Sequence, residues 1–374
     1  MNFASISFSH SIHSLAYSTH YGNVCCVGTF DLNHWYHRGE IHVCHVSSFN
    51  NISENGDSTF HDLNEKPLIK QIAVLDNKVG VNKLMWSEIF KELVASANHD
   101  GIISILADKG YSIKCVDWNQ FGDSATLVLV GSTSSRIKLF DSRNFEYVVE
   151  QFAEHTKVIN DVKWNNNNKD EFASVSDDGL VKIWDKRVKN SINTLLDREQ
   201  GGSPLKCCDW HKQNDWILAV GNDNGQLIIW DTRNDLQPIQ RRQAHSASVQ
   251  CISFDSSDVS RIMTGSKDQT LRVWSSITNS KQQQEGIYLT QEHKIHREYV
   301  RTVDWNIHNP NIVTSGSMDQ SMVAVPLAYM TQVREYEVEG SLVVSGTIWL
   351  TPFSKIHTND NKTEKTRPQT LSKL

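Results

Sequence analysis

One short pattern of apolar and polar positions recurs along the chain and ends each time on an aromatic ring. VNKLMW (81–86), IKCVDW (113–118), INDVKW (159–164), LKCCDW (205–210), VQCISF (249–254) and VRTVDW (300–305) are copies of it, and IHSLAY (12–17) opens the series. From Trp118 the aromatic-to-aromatic spacing runs 46, 46, 44 and 51 residues. A second apolar strand, a tight turn and a third strand follow each copy, as in FASVSDDGLVKIWD (172–185), ILAVGNDNGQLIIWD (217–231) and RIMTGSKDQTLRVWS (261–275). Short alternating strands separated by turn residues, repeated at a period of about 45, predict the blades of a β-propeller. Seven copies predict an all-β, seven-bladed ring.

The Trp-Asp endings of the third strands resemble the WD repeat, so the expected fold is a seven-bladed WD40 β-propeller over residues 1–350, with a flexible tail over 351–374. Only 32 residues separate Trp86 from Trp118, so the second blade is expected to be irregular. The polar stretches 47–66 and 275–291 read as exposed loops. Two segments, Ala4–Phe8 and SLVVSGTIWL (341–350), compete for the outer edge of the last blade, where a terminal strand would close the ring and remove an exposed sheet edge.

In this repeat a His between blades, a Ser or Thr, a turn Asp and the Trp form a buried hydrogen-bonded chain. Two blades carry all four residues: His155, Ser174, Asp178 and Trp184, and His245, Thr264, Asp268 and Trp274. Each buried polar group left without a partner costs about 1–3 kcal/mol, so such chains are structural ties. Recurrence at the blade period argues against a hydrolase triad. With no glycine-rich phosphate loop, metal spacing or nucleophile motif, neither enzyme activity nor a cofactor is expected.

Composition narrows the field further. A net charge of −6 argues against nucleic acid as a partner. No apolar run reaches 18 residues, so no membrane span is expected. The seven cysteines form no C-x-x-C pair and sit in apolar runs, as reduced, buried small hydrophobes would.

Four stretches resemble the cytosolic receptor for the type-2 peroxisomal targeting signal (the peroxin-seven family): 15–43, 81–101, LKCCDWHKQNDWILAVGNDNGQLIIWDTRNDLQPIQRRQAH (205–245), and HREYVRTVDWNIHNPNIVTSGSMDQ (296–320). The resemblance implies an import receptor, acting as a monomer in the cytoplasm and the peroxisomal matrix. Its implied partners are cargo proteins with an N-terminal targeting helix and an import co-receptor peroxin. The ligand-facing rim of a propeller lies four residues before each core aromatic, at Asn82, Lys114, Asn160, Lys206, Gln250 and Arg301. Asp177, Asp223 and Glu298 beside Tyr299 are the nearby acids and ring that a basic peptide helix would meet. The terminal Ser372-Lys373-Leu374 matches the tripeptide of a peroxisomal address and is expected to serve as one, the rival being a chance ending. The rival reading is a WD40 scaffold or a substrate receptor of a cullin–RING ubiquitin ligase. It rests on the Arg that follows each ending at Asp141-Ser-Arg143, Asp185-Lys-Arg187 and Asp231-Thr-Arg233, which resembles that family's docking box.

Overall fold

The computed structural model describes residues 4–18, 23–31, 38–47, 68–76, 79–86, 94–98, 102–103, 106–107, 112–121, 124, 126–198, 201–278, 285–307, 309 and 311–327. All belong to one compact unit, Met1–Ala328. The 47–66 loop (beyond Ser47), the 341–350 strand and the Ser372-Lys373-Leu374 end lie outside the described residues.

The described strands form seven antiparallel four-stranded sheets. Blade one comprises Ser11–Tyr17, Val24–Phe30, Glu40–Ser47 and Leu68–Asp76, and blade three Ile113–Trp118, Leu127–Ser132, Ile137–Asp141 and Asn144–Phe152. Blade four is Ile159–Trp164, Glu171–Ser176, Leu180–Asp185 and Ser191–Leu196. Blade five is Leu205–Trp210, Ile217–Asn222, Gln226–Asp231 and Gln240–Gln243. Blade six is Val249–Phe254, Arg261–Ser266, Leu271–Thr278 and Glu285–His293, and the last blade Val300–Trp305, Ile312–Ser317 and Ser321–Pro326 with Ala4–Ser7 at its edge. These six are regular. The remaining sheet, second in the order, is rudimentary: after Val81–Trp86 and Val94–Asn98 come Ile102–Ile103 and Leu106–Ala107, two residues each. Six full blades plus one reduced sheet therefore stand where seven blades with an irregular second were expected, and the shortfall falls inside the 32-residue interval.

The first strands of successive sheets pack on one another in a closed cycle, the last against Ser11–Tyr17. Ala4–Ser7 pairs antiparallel with Ser321–Ala324, so the N-terminal strand takes the edge for which 341–350 was the competitor. The core lies between sheets. Trp86, Trp118, Trp164, Trp210, Phe254 and Trp305 are all buried. A glycine on the second strand opens room for the next blade: a Cβ on Gly221 or Gly265 would sit 2.7 Å from a side-chain methyl of Val249 or Val300.

The expectation of a loop over 275–291 is corrected. Residues 271–278 pair with 285–293 as one long hairpin, with Ile287 buried against the core. Its outer strand exposes Tyr288, Leu289 and Glu292 while Ile287 is buried, and such a half-wet strand carries little clean apolar signal.

Candidate functional site

The repeating strand sets side chains at defined heights along the ring axis. Its second residues, His13, Asn82, Lys114, Asn160, Lys206, Gln250 and Arg301, are all half-buried and form the channel mouth. From Asn82 onward amides and cations alternate, one per sheet. The amides tie sheet to sheet. Asn82 Nδ2 donates to the Ile113 carbonyl at 2.7 Å, and Asn160 Nδ2 to the Leu205 carbonyl at 2.7 Å. Gln250 holds Arg301, whose Nη1 donates to Gln250 Oε1 at 2.7 Å.

Two of the three mouth cations lack a carboxylate partner. Lys206 meets Asp177 at 2.7 Å and Asp223 at 3.9 Å. Among the described residues Lys114 has no hydrogen bond or ion pair, and Arg301 Nε is buried without a hydrogen-bond partner. Burial, then Arg301 and Lys206 across the channel, push the Lys114 ammonium below its ordinary pKa. Burial likewise lowers the Arg301 guanidinium. Asp177 also accepts from Asn160 Nδ2 at 2.7 Å, so the acid that would greet a basic helix is already engaged inside the ring. Asp223 and Glu298 are exposed, and Tyr299 stands beside the mouth with Lys267 Nζ 5.9 Å from its ring centre.

The floor, three residues further along each strand, differs. It carries Asp117, Lys163, Asp209 and Asp304 with Ala16, Met85 and Ser253. Each Asp accepts the backbone N–H of the next aromatic: Trp164 to Asp117 at 2.6 Å, Phe254 to Asp209 at 2.8 Å and Tyr17 to Asp304 at 2.9 Å. Lys163 Nζ pairs with Asp117 at 3.2 Å and Lys212 Nζ with Asp209 at 3.1 Å. Burial pushes Asp304 up to about 6 despite the N–H groups of Tyr17 and Trp305.

The His chains are internal ties. His155 meets Asp178 at 2.8 Å and Ser174 at 2.7 Å, and Trp184 Nε1 donates to Ser174 at 2.8 Å. His245 meets Asp268 at 3.0 Å and Thr264 at 2.7 Å, with Trp274 Nε1 donating to Thr264 at 2.9 Å. Burial raises Asp178 and Asp268, yet bonds from the His rings outweigh it and hold both below the usual range. A third chain escaped the sequence reading: His296 to Ser315 at 2.8 Å and to Asp319 at 3.3 Å. Its offsets, 19 and 23 residues, equal those of the other two, but Val325 stands where they have Trp. The offsets alone would have found it.

On the floor side, Arg143, Arg187 and Arg233 are each folded back onto the Asp two residues earlier, at 2.5, 2.5 and 2.6 Å. Arg233 also lies over the Trp216 ring, 5.3 Å from its centre. All seven cysteines are free thiols, and burial pushes Cys26 and Cys251 up to about 12. Among the described residues no group of three His, Cys, Asp or Glu is placed to hold a metal ion, and no helix is long and apolar enough to cross a membrane.

Sheet topology and ring closure define an all-β propeller. Three of its repeats match a known repeat family: residues 146–185, 192–231 and 236–275 match the WD domain, G-beta repeat. The chain is 29% identical over 61% of its length to a WD repeat-containing protein of Dictyostelium discoideum, and spans 12% of that protein. It is 28% identical over 39% of its length to the histone acetyltransferase type B subunit 2 of Candida glabrata, spanning 35% of it. To human nucleoporin Nup43 it is 32% identical over 29% of its length, and spans 29% of that protein. These likenesses support a WD-repeat protein in general and carry no import-receptor assignment.

Proposed function

We propose that this chain is a non-enzymatic WD40 scaffold that docks a protein partner over the channel mouth. The observation that carries the reading is the division of polar residues. The His chains are consumed by bonds within single blades and the floor acids by bonds between sheets, whereas Lys114 and Arg301 at the mouth have no ion pair among the described residues. Unmatched, half-buried charge is costly for the fold alone and marks a surface shaped for a ligand.

The finer reading, a receptor for a basic targeting helix, rests on the sequence resemblance. Mouth chemistry disfavours it, because Asp177 is occupied by Lys206 and Asn160 while the neighbouring cations would repel an Arg-bearing helix. The peroxisomal address at Ser372-Lys373-Leu374 is a separate proposal, and a reporter fused to residues 355–374 tests it: diffuse fluorescence sinks it.

Site-specific photo-cross-linking in cells tests the scaffold reading. A benzophenone at Tyr299, 42% exposed beside the mouth, is expected to capture a discrete partner. One at Tyr147, 68% exposed on the outer strand of blade three, is not. Capture at Tyr147 alone would move docking to the outer rim and overturn the reading.

A further inference from the structure

Three layers of one channel carry different charge. The mouth has three cations, Lys114, Lys206 and Arg301, and no acid among its seven residues. The middle layer has one of each sign, Lys83 and Asp161, among Ser14, Cys115, Cys207, Cys251 and Thr302. Lys83, the third residue of Val81–Trp86, is half-buried. Among the described residues it has no ion pair or hydrogen bond. The floor reverses the sign, with three Asp to one Lys. The channel is therefore polarised, positive at the strand starts and negative at the strand ends.

Such a gradient selects the sign of what enters from the mouth. Low-dielectric walls focus the field of clustered charges. The molecule as a whole carries −6, so long-range attraction does not favour an anion and any affinity must come from the cluster. The anchoring is also prepared. Gln250 fixes one edge of the Arg301 guanidinium, leaving Nε turned away from any protein acceptor, and Lys114 stands across from it. A carboxylate between them would take charge-assisted hydrogen bonds from both cations, of which Arg301 is already held in place by Gln250.

We propose that the mouth is a binding site for an acidic peptide segment of a partner protein, with Lys114 and Arg301 gripping one carboxylate, Lys206 steering a second, and Lys83 setting the depth. The amides Asn82 and Asn160 position the sheets that carry these cations. This rests on the scaffold reading and adds the chemistry of the ligand. Because the three cations come from three blades, an extended segment of several acidic residues fits better than a lone anion.

Fluorescence anisotropy with labelled hexaglutamate on the full chain tests it, using Lys114→Met as the principal variant. Its ammonium supports no contact within the fold, so the variant is expected to melt at or above the parent temperature as cation crowding is relieved. Hexaglutamate affinity should fall tenfold or more, with a shallower dependence on salt. Lys189→Met, which removes a charge that is 80% exposed, should bind as the parent does. Equal affinity of Lys114→Met and the parent overturns the proposal, and so does an absence of hexaglutamate binding. Inorganic tripolyphosphate binding where hexaglutamate does not would make the mouth a small-anion site and equally overturns the peptide assignment. In each of these failures, cross-linking at Tyr299 would still leave the scaffold reading standing.

Discussion

The two ends of the channel are built from the same strand, three residues apart, and do opposite work. At the floor every acid is spent on the seam between neighbouring sheets: Asp117, Asp209 and Asp304 accept N–H groups of Trp164, Phe254 and Tyr17. At the mouth the seams are tied largely by neutral amides, and of the alternate cations only Lys206 is paired with acids. A polar residue at the floor is thus part of the fold, whereas the mouth keeps Lys114 and the Nε of Arg301 without a protein partner among the described residues. Closing a ring needs a tie at every seam but does not need both ends of it to be charged.

Breaking the floor should cost most. Asp209→Ala leaves the Phe254 N–H buried without its acceptor and strips Lys212 of its partner. The expected loss is about 1–3 kcal/mol, the desolvation cost of an orphaned donor. Urea melts of this variant beside Lys114→Met measure the contrast directly. If both variants melt alike, the division between a structural floor and a ligand-serving mouth is wrong.

How far the sequence disclosed this division depends on range. The strands were legible because Trp118, Trp164, Trp210 and Trp305 stand at a fixed distance after a polar position, and the same offset picked out the mouth residues. The engagement of Asp177 by Lys206 was not, because the partners lie 29 residues apart in adjacent blades and no local pattern couples them. His296 was hidden by the demand for a Trp at Val325, although its Ser and Asp sit at the repeat's own offsets. The 271–293 hairpin was missed because an outer strand with one wet face, bearing Tyr288 and Leu289 among polar neighbours, does not alternate cleanly.

The floor also predicts a pH dependence. Asp304 titrates at about 6 in the folded chain, raised by burial, against about 3.9 in an unfolded one. Between those values the folded state holds the extra proton, so this group's share of stability falls as pH rises from about 4 to 6. The half-buried acids Asp178 and Asp319 act in the opposite sense: their folded values are depressed, and what they contribute is lost as pH falls through them. Asp304→Asn removes the first titration and keeps an oxygen for Tyr17. Relative to the parent it should lose the decline between pH 4 and 6 and gain about 1 kcal/mol at pH 7, part of the roughly 1.4 kcal/mol per pH unit available. Identical stability–pH curves for the two chains would mean that the charge at this seam is not penalised.

The smallest effect is expected on the floor's outer side, and it separates the two scaffold readings. Arg143, Arg187 and Arg233 are 72%, 67% and 60% exposed and bonded to the Asp of their own turn. Exposed pairs of this kind contribute little because solvent screens them and long side chains lose entropy in forming them. The triple variant Arg143→Ala, Arg187→Ala, Arg233→Ala should therefore melt with the parent. Were these residues a docking box for a ligase adaptor, that silence in stability would accompany loss of a partner, since a guanidinium can turn from its own Asp to another carboxylate. Cross-linking from Tyr299 beside the mouth and from Trp216 beside Arg233 reads both faces in one experiment. The mouth reading requires the Tyr299 adduct to survive the triple substitution. An adduct that forms only at Trp216, and disappears with the three arginines, would transfer docking to the acidic end of the channel and favour the ligase-receptor account.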